Sequence, residues 1–180
     1  MAKGQILERK YFTMKKLLAL VLVLMMMVPF AMADEVKLGQ VQFAAHGTKC
    51  FAVITVAMVG DKIADVLIDE YQPMAADTSI AVPNSETIFA DLFAAGKVLA
   101  SKVQNAAAYS ANMQKAGSTV ALDVNYKALE DYATGMTIAD LEAALEGKTA
   151  EQVVDAVTGC TLVDALGYLQ GVLAAAKAAQ

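Results

Sequence analysis

A short polar stretch near the end of the chain carries the residue types best suited to hold a ligand. It reads VVDAVTGCTL over residues 153–162. The hydroxyl of Thr161 can form an ester or bind a phosphate, and Gly159 permits the positive φ of a tight turn. We expect Thr161 to lie in the first turn of the terminal helix, where free N–H groups and the helix dipole attract anions. The segment is therefore either a simple helix cap or a phosphate-binding site.

The same residues resemble a known acceptor motif. The stretch from Asp155 to Thr161, DAVTGCT, is similar to the motif of the FMN-binding domain family, which reads Asp, two variable residues, Ser or Thr, Gly, Ala, then Ser or Thr. The resemblance implies that Thr161 carries FMN through a phosphoester bond. It also implies that the cofactor-binding turn around Thr161 is formed by Asp155, Thr158, Gly159 and Cys160. Cys160 departs from the usual Ala but is only slightly larger, so we expect the turn to survive.

Two further stretches resemble the same family. Residues 47–70 look like its β-hairpin, and residues 101–147 look like the helical segment of secreted members used in extracellular electron transfer. The resemblance implies one FMN-binding-like domain over residues 34–180 that acts as an exported electron carrier rather than as an enzyme. The implied partners are a flavin transferase that takes FMN from FAD, a membrane electron donor and an extracytoplasmic acceptor.

Two other functions stay open. The chain can be a module with this fold that has lost the flavin and acts as a secreted binding or structural protein, and Cys160 favours that alternative. It can also be the flavin subunit of an exported reductase whose catalytic domain is a separate chain. No Ser/His/Asp set, phosphate-binding loop or dinucleotide fingerprint is recognisable. The flavin ring would need an aromatic platform, for which the candidates by residue type are Phe43, Phe51, Tyr71 and Tyr168.

The first 33 residues have the pattern of a secretory signal peptide. Lys15 and Lys16 precede an apolar run over residues 17–28, and a small-residue cleavage site ends at Ala33. We expect Met14 to be the true initiator. An uncleaved anchor is the alternative, although the apolar run is short for a bilayer span. The predicted location is therefore periplasmic or extracellular, with no stable membrane insertion after cleavage.

Charge and composition exclude some classes of partner. Residues 1–33 hold five basic residues and one acid, so their removal leaves nine basic and 18 acidic residues, a net charge of −9. An exported acidic protein does not suit nucleic acid or an anionic membrane surface. The mean hydropathy of +0.47 owes part of its value to the signal region.

The cysteines leave two interpretations open. Cys50 and Cys160 can pair in an oxidising compartment, or each can be a small buried apolar residue. Together with His46 they cannot complete a closed zinc site, so we expect no metal. His46 is expected to be a surface or turn histidine.

The order of patterns indicates an α+β fold in one small domain. Three β-like runs, residues 36–47, 49–60 and 61–71, predict an antiparallel meander with a Gly60–Asp61 hairpin turn. A loop is expected over residues 71–84. Helical patterns then follow, and the order of strands before helices is typical of the α+β class. A helix is expected to start at Ser85, and further helices are expected over residues 97–117, 123–135, 137–147 and 162–180. The helix over 137–147 begins with a capping pair, Thr137 and Asp140, and residues 149–157 are of ambiguous type. The acids of the stretches LIDEY and LEDY are expected on solvated faces.

Overall fold

Four antiparallel strands form the sheet on which the rest of the domain packs. The computed structural model describes residues 34–87 and 90–180, so the predicted signal peptide lies outside the described residues. Each strand pairs with the next one along the chain, which confirms the predicted meander and the α+β class. The strands are β1 (Val36–Phe43), β2 (Phe51–Val59), β3 (Lys62–Ala75) and β4 (Lys97–Ser101).

The hairpin between β2 and β3 explains an irregular pattern in the sequence. Gly60 has a φ of 60°, as the two-residue turn requires, whereas Asp61 stays at negative φ. Within β3 the pairing register shifts, so that Ala64 has no partner on β2. This bulge lets Ile63 and Val66 both face the core although they are three residues apart. The imperfect alternation of this strand is therefore the signature of the bulge.

Five helices follow the sheet, and they cover one of its faces. Alternate residues of β2, such as Ile54 and Val56, are fully buried, while the residues between them are partly exposed. The longest helix packs on β1 and β2, and the second helix packs on β3. The helices are α1 (Ala106–Lys115), α2 (Leu122–Ala133), α3 (Ile138–Leu145), α4 (Ala150–Ala156) and α5 (Ala165–Ala178).

Two of these helices begin with a capping box. Thr137 accepts a hydrogen bond from the backbone N–H of Asp140, whose carboxylate returns one to the Thr137 N–H, as predicted for α3. The segment of ambiguous type is helix α4, and Thr149 and Gln152 form the same reciprocal arrangement there. Within the described residues, no helix is both long and apolar enough to cross a membrane.

Three sequence predictions between residues 71 and 105 are wrong. Strand β3 continues to Ala75 where a loop was expected. No helix starts at Ser85, because residues 83–87 form turns. The Ser85 hydroxyl donates a hydrogen bond to the Leu99 carbonyl at 3.0 Å. The Ala-rich stretch KVLAS is strand β4 instead of helix. Pairing with β3 buries Val98 and Ala100, and this tertiary gain outweighs their local helix propensity.

Close backbone approach seats α5 on the sheet. A Cβ at Gly39 of β1 would lie 2.0 Å from the Ala175 carbonyl oxygen of α5. A Cβ at Gly171 would lie 2.4 Å from Ile54 Cδ1, and one at Gly167 would lie 2.4 Å from the carbonyl oxygen of Ala45. At Gly39 and Gly167 the nearest atoms belong to the backbone, so glycine is required there, whereas at Gly171 the nearest atom is the end of an Ile54 side chain. The helix therefore approaches β1 and the loop after it backbone to backbone.

We expect Gly39→Ala to lower the free energy of unfolding by about 3 kcal/mol, because the added methyl meets backbone atoms that cannot rotate away. Urea denaturation measures the loss. Leu38→Ala is the control, since Leu38 is 69% exposed on the opposite face of the same strand and its truncation should cost less than about 1 kcal/mol. Equal losses for the two variants would contradict the close approach.

Candidate functional site

Thr161 lies in the loop that joins α4 to α5. Helix α4 ends at Ala156, and α5 begins at Ala165, so Thr161 is four residues before the terminal helix. The prediction that Thr161 belongs to the first helical turn is therefore wrong. Leu162 also precedes the helix, and its carbonyl accepts a hydrogen bond from the Ala165 N–H at 3.1 Å. This turn over residues 162–165 ends where the helix begins, and Thr161 lies before both.

The motif residues form a tight turn with one buried member. Gly159 has a φ of 88°, and the Cys160 N–H donates to the Val157 carbonyl at 3.1 Å. Cys160 is 6% exposed and belongs to the hydrophobic core. The other motif side chains, Asp155, Thr158 and Thr161, are exposed. Three residues of the turn with oxygen-bearing side chains are therefore exposed, while the buried Cys160 side chain anchors the turn in the core.

Asn125 of α2 holds this loop and was missed in the sequence. Its side chain is fully buried, and its Oδ1 accepts the Thr161 N–H at 2.7 Å. The Thr161 hydroxyl lies 3.4 Å from the same oxygen. The Asn125 amide group donates to the carbonyls of Val120 and Ala121, at 3.2 and 2.9 Å. Asn125 therefore fixes the backbone of Thr161 to the start of α2, a role that no local pattern signals.

A cavity of about 450 Å³ lies beside Thr161. Thr161 is part of its wall and is an exposed residue. The volume is within the range of pockets that hold small organic ligands. The apolar part of the wall comes from α1, α2, α5 and the segment before α5. It includes Met113, Leu122, Leu162, Val163 and the rings of Tyr109 and Tyr168.

A buried group of charged and phenolic side chains lies against this cavity. Glu70 is 0% exposed and Lys102 is 1% exposed, and the two form an ion pair. The same Glu70 oxygen, Oε2, accepts the hydroxyl of Tyr168 at 2.8 Å, and Tyr126 lies 3.2 Å from Tyr168 through their hydroxyls. The Lys102 Nζ lies 4.6 Å from the centre of the Tyr109 ring. The expectation that the acids of LIDEY are solvated is wrong for Glu70.

The contacts of this group set its protonation. Burial lowers the pKa of Lys102, but the hydrogen bonds with Glu70 and Tyr109 outweigh burial, so that its pKa is raised above the ordinary value. Burial raises the pKa of Tyr168 and of Tyr126. At neutral pH Lys102 is therefore an ammonium ion and both tyrosines are neutral hydroxyl donors.

His46 closes one side of the site. It lies in the loop after β1, and its Nδ1 is 2.5 Å from Oδ2 of Asp164. His46 and Asp164 both belong to the cavity wall, and their side chains are 44% and 33% exposed. His46 is a loop histidine, as expected, but it is tied to the segment that precedes α5. Within the described residues, no cluster of His, Cys, Asp or Glu is arranged to hold a metal ion.

One of the four aromatic candidates is at the cavity. Tyr168 lines it, whereas Phe51 and Tyr71 stack on each other with ring centres 5.6 Å apart, and Phe43 packs under α5 near Gly171. The second ring of the wall, Tyr109, was not singled out in the sequence. It stands in an Ala-rich helix that gives no sign of a ligand.

The two cysteines are both free thiols. Cys50 is half-buried, and its thiol donates to the carbonyl of His46. Burial, with a further contribution from Glu70, raises the pKa of Cys50 to about 11. Burial also raises the pKa of Cys160. The sequence left open whether Cys50 and Cys160 form a disulfide, and in the structure they do not.

No family model, curated protein or solved structure matches this chain.

We expect Asn125→Ala to lower the free energy of unfolding by about 2 kcal/mol, because it leaves the Thr161 N–H without its partner. The carbonyls of Val120 and Ala121 each lose one of two hydrogen bonds. Native-state hydrogen exchange should show the Thr161 amide losing protection before the amides of the sheet. Asn112→Ala is the control, since Asn112 is exposed on α1 and should change neither measurement. Unchanged protection at Thr161 would contradict the assigned contact.

We expect iodoacetamide to react with Cys50 more slowly than with an ordinary thiol at pH 8, since a raised pKa leaves less thiolate. The rate should rise toward a midpoint at about pH 11. Cys160 should react only after unfolding, because it is buried. Mass spectrometry of protein unfolded without reductant should find both cysteines alkylated, and two unlabelled cysteines would indicate a disulfide instead.

Proposed function

We propose that this protein is an extracytoplasmic flavoprotein that carries electrons. More particularly, it bears one FMN in phosphoester linkage to Oγ1 of Thr161. The observation that carries the proposal is the position of Thr161: the residue that the acceptor motif singles out is exposed and forms part of the wall of a cavity with aromatic and apolar sides. Neither the motif nor the cavity alone would be enough, and the two coincide at one hydroxyl.

The residues of the cavity fit a flavin. Its tyrosines, Tyr109 and Tyr168, offer ring surfaces for a planar heterocycle, and Met113 and Leu122 offer apolar contact. Lys102 adds a positive charge in a region of low dielectric constant. When bound, FMN would supply the one- and two-electron chemistry, while the chain binds it, orients it and sets its electrostatic surroundings.

The turn around Thr161 suits attachment by a second enzyme. Asp155 and Thr158 are exposed beside Thr161, so a flavin transferase could reach all three side chains. The transfer would form the bond between Oγ1 of Thr161 and the FMN phosphorus, and FAD would release AMP as the leaving group. Asn125 would hold the backbone of Thr161 in place during this reaction.

Cys160 weighs less against attachment than its departure from the family motif suggests. The side chain points into the core, away from the exposed hydroxyls, so the added sulfur changes the packing below the turn and leaves the acceptor surface intact. A free thiol there also leaves the turn unconstrained by a disulfide. The buried position of Cys160 thus supports the flavin-carrying protein over the alternative, a module of the same fold without flavin. The experiment below distinguishes the two.

The partners follow from the carrier role. We propose a membrane electron donor and an extracytoplasmic acceptor in addition to the flavin transferase, with the mature chain periplasmic or extracellular. A covalent bond suits such a carrier, because a dissociable flavin would be lost by diffusion outside the cytoplasm. The acidic balance of residues 34–180 disfavours nucleic acid and anionic lipid as partners.

We expect co-expression with an active flavin transferase to add to the chain the mass of one FMN less one water. Thr161→Ala should abolish the gain, because the accepting oxygen is gone, while Thr161→Ser should keep it. Thr134→Ala is the matched control, since Thr134 is an exposed threonine at the end of α2, outside the motif and the cavity wall, and should be flavinylated normally. Intact-mass spectrometry and flavin fluorescence in a denaturing gel measure the attachment.

An unmodified wild-type chain, with the transferase active on a known substrate, would overturn the carrier and favour the module without flavin. Cys160→Ala then separates two causes. Flavin on Cys160→Ala but not on the wild type would place the block at the sulfur. Absence from both would remove Thr161 as an acceptor.

A further inference from the structure

The ion pair of Glu70 and Lys102 is the most costly arrangement beside the cavity. Both side chains are removed from water, and such a pair seldom stabilises a fold more than apolar residues of the same size would. The pair is also incompletely satisfied: Glu70 Oε1 is buried and, among the described residues, has no hydrogen-bond partner. Stability therefore gives no sufficient reason for placing these charges here.

The two residues of the ion pair differ in their relation to the cavity. Lys102 forms part of the cavity wall, whereas Glu70 does not belong to the described residues that form it. The residue that carries the cation therefore borders the cavity, whereas its counter-charge belongs to a residue that does not. The other charged groups of the wall, His46 and Asp164, are paired with each other at 2.5 Å. Among the described residues of the wall, Lys102 is thus the lysine and Asp164 the carboxylate.

Neighbouring side chains hold Lys102 in this position. Its Nζ is bonded to Glu70 Oε2 and lies over the ring of Tyr109. Its backbone N–H donates to the Glu70 carbonyl at 2.8 Å, which fixes the residue directly after β4 to strand β3. Tyr168 donates to the same Glu70 oxygen from α5. Contacts from β3, α1 and α5 therefore preorganise the ammonium, and a preorganised charge acts without a reorganisation cost.

We propose that Lys102 sets the reduction potential of the flavin on Thr161, and that Glu70 is a positioning residue that tempers the charge of Lys102. This inference rests on the proposed function. Adding electrons to a bound flavin increases negative charge in the cavity, and an ammonium ion in a low-dielectric wall favours that form. Lys102 should therefore raise the potential, and the carboxylate paired with it should lower it by a smaller amount.

The test compares the midpoint potentials of three flavinylated proteins. Glu70→Gln removes the negative charge but retains an oxygen for the Tyr168 hydroxyl, so its potential should lie above that of the wild type. Glu70→Gln combined with Lys102→Met removes both charges, and its potential should lie below that of the wild type. We expect a change of at least tenfold in the equilibrium constant for reduction in each direction, which corresponds to about 30 mV for a two-electron couple.

The double variant is used because Lys102→Met alone would leave Glu70 buried without a counter-charge and could unfold the chain. Glu70→Gln carries the converse cost, since Lys102 then keeps only the introduced amide oxygen and the Tyr109 ring as partners. Thermal unfolding of the flavin-free proteins checks that both variants fold. Lys148→Met is the matched control, since it removes one exposed lysine outside the cavity wall and should leave the potential unchanged. Tyr126→Phe is a second control: it removes a buried hydroxyl of the same group from a residue that is not part of the wall.

The outcomes separate the two proposals. If the wild type carries FMN but the potentials of all variants coincide, or the order of the two Glu70 variants is reversed, the role of Lys102 is wrong and the carrier stands. Potentials that shift equally in Tyr126→Phe would show that the group acts by packing, which also overturns it. A wild-type chain without FMN on Thr161 would overturn the proposed function and this inference together.

Discussion

The seating of α5 on the sheet is the contact on which the candidate site depends. Gly39 and Gly167 let the backbone of α5 approach β1 and the loop after it to distances that a side chain would prevent. Gly171 lets the same helix pack closely on the side chains of Ile54 and Phe43. This approach brings Tyr168 of α5 within hydrogen-bond reach of Glu70 on β3. It also fixes the start of the helix, and with it the end of the loop that carries Thr161. If α5 lay farther from the sheet, Tyr168 would move out of its place in the cavity wall.

The polar group beneath the cavity has the opposite physical character. The glycine contacts gain close packing, whereas the ion pair of Glu70 and Lys102 gives up hydration and leaves one carboxylate oxygen without a partner. Folded chains tolerate such groups where they are surrounded by better-packed elements, and here β3 and α5 supply that support. The same pair connects strand β3 to the cavity wall. Tyr168 takes part in both features, since it lies on α5 and donates a hydrogen bond to Glu70.

Much of the fold could be predicted because its signals are local. The strand runs, the Gly60 turn and the Thr137 capping box depend on neighbouring residues, and each is present. Strand β4 could not be predicted, since its Ala-rich sequence favours a helix until pairing with β3 decides otherwise. The predicted start of α5 was also wrong. The turn at Leu162 and the hydrogen bond from the Thr161 N–H to Asn125 depend on the folded loop.

The sequence by itself determined the meander of β1, β2 and β3, the α+β class, and the motif from Asp155 to Thr161 on which the proposed attachment depends. These depend on residue type and spacing, which are fixed along the chain. The tertiary structure alone decided that Thr161 borders a cavity, that Cys160 is buried in the core, and that Lys102 joins the cavity wall while paired with Glu70. Glu70 and Tyr168 are 98 residues apart. Their contact exists only because the chain folds α5 back onto β3, and no local pattern contains that information.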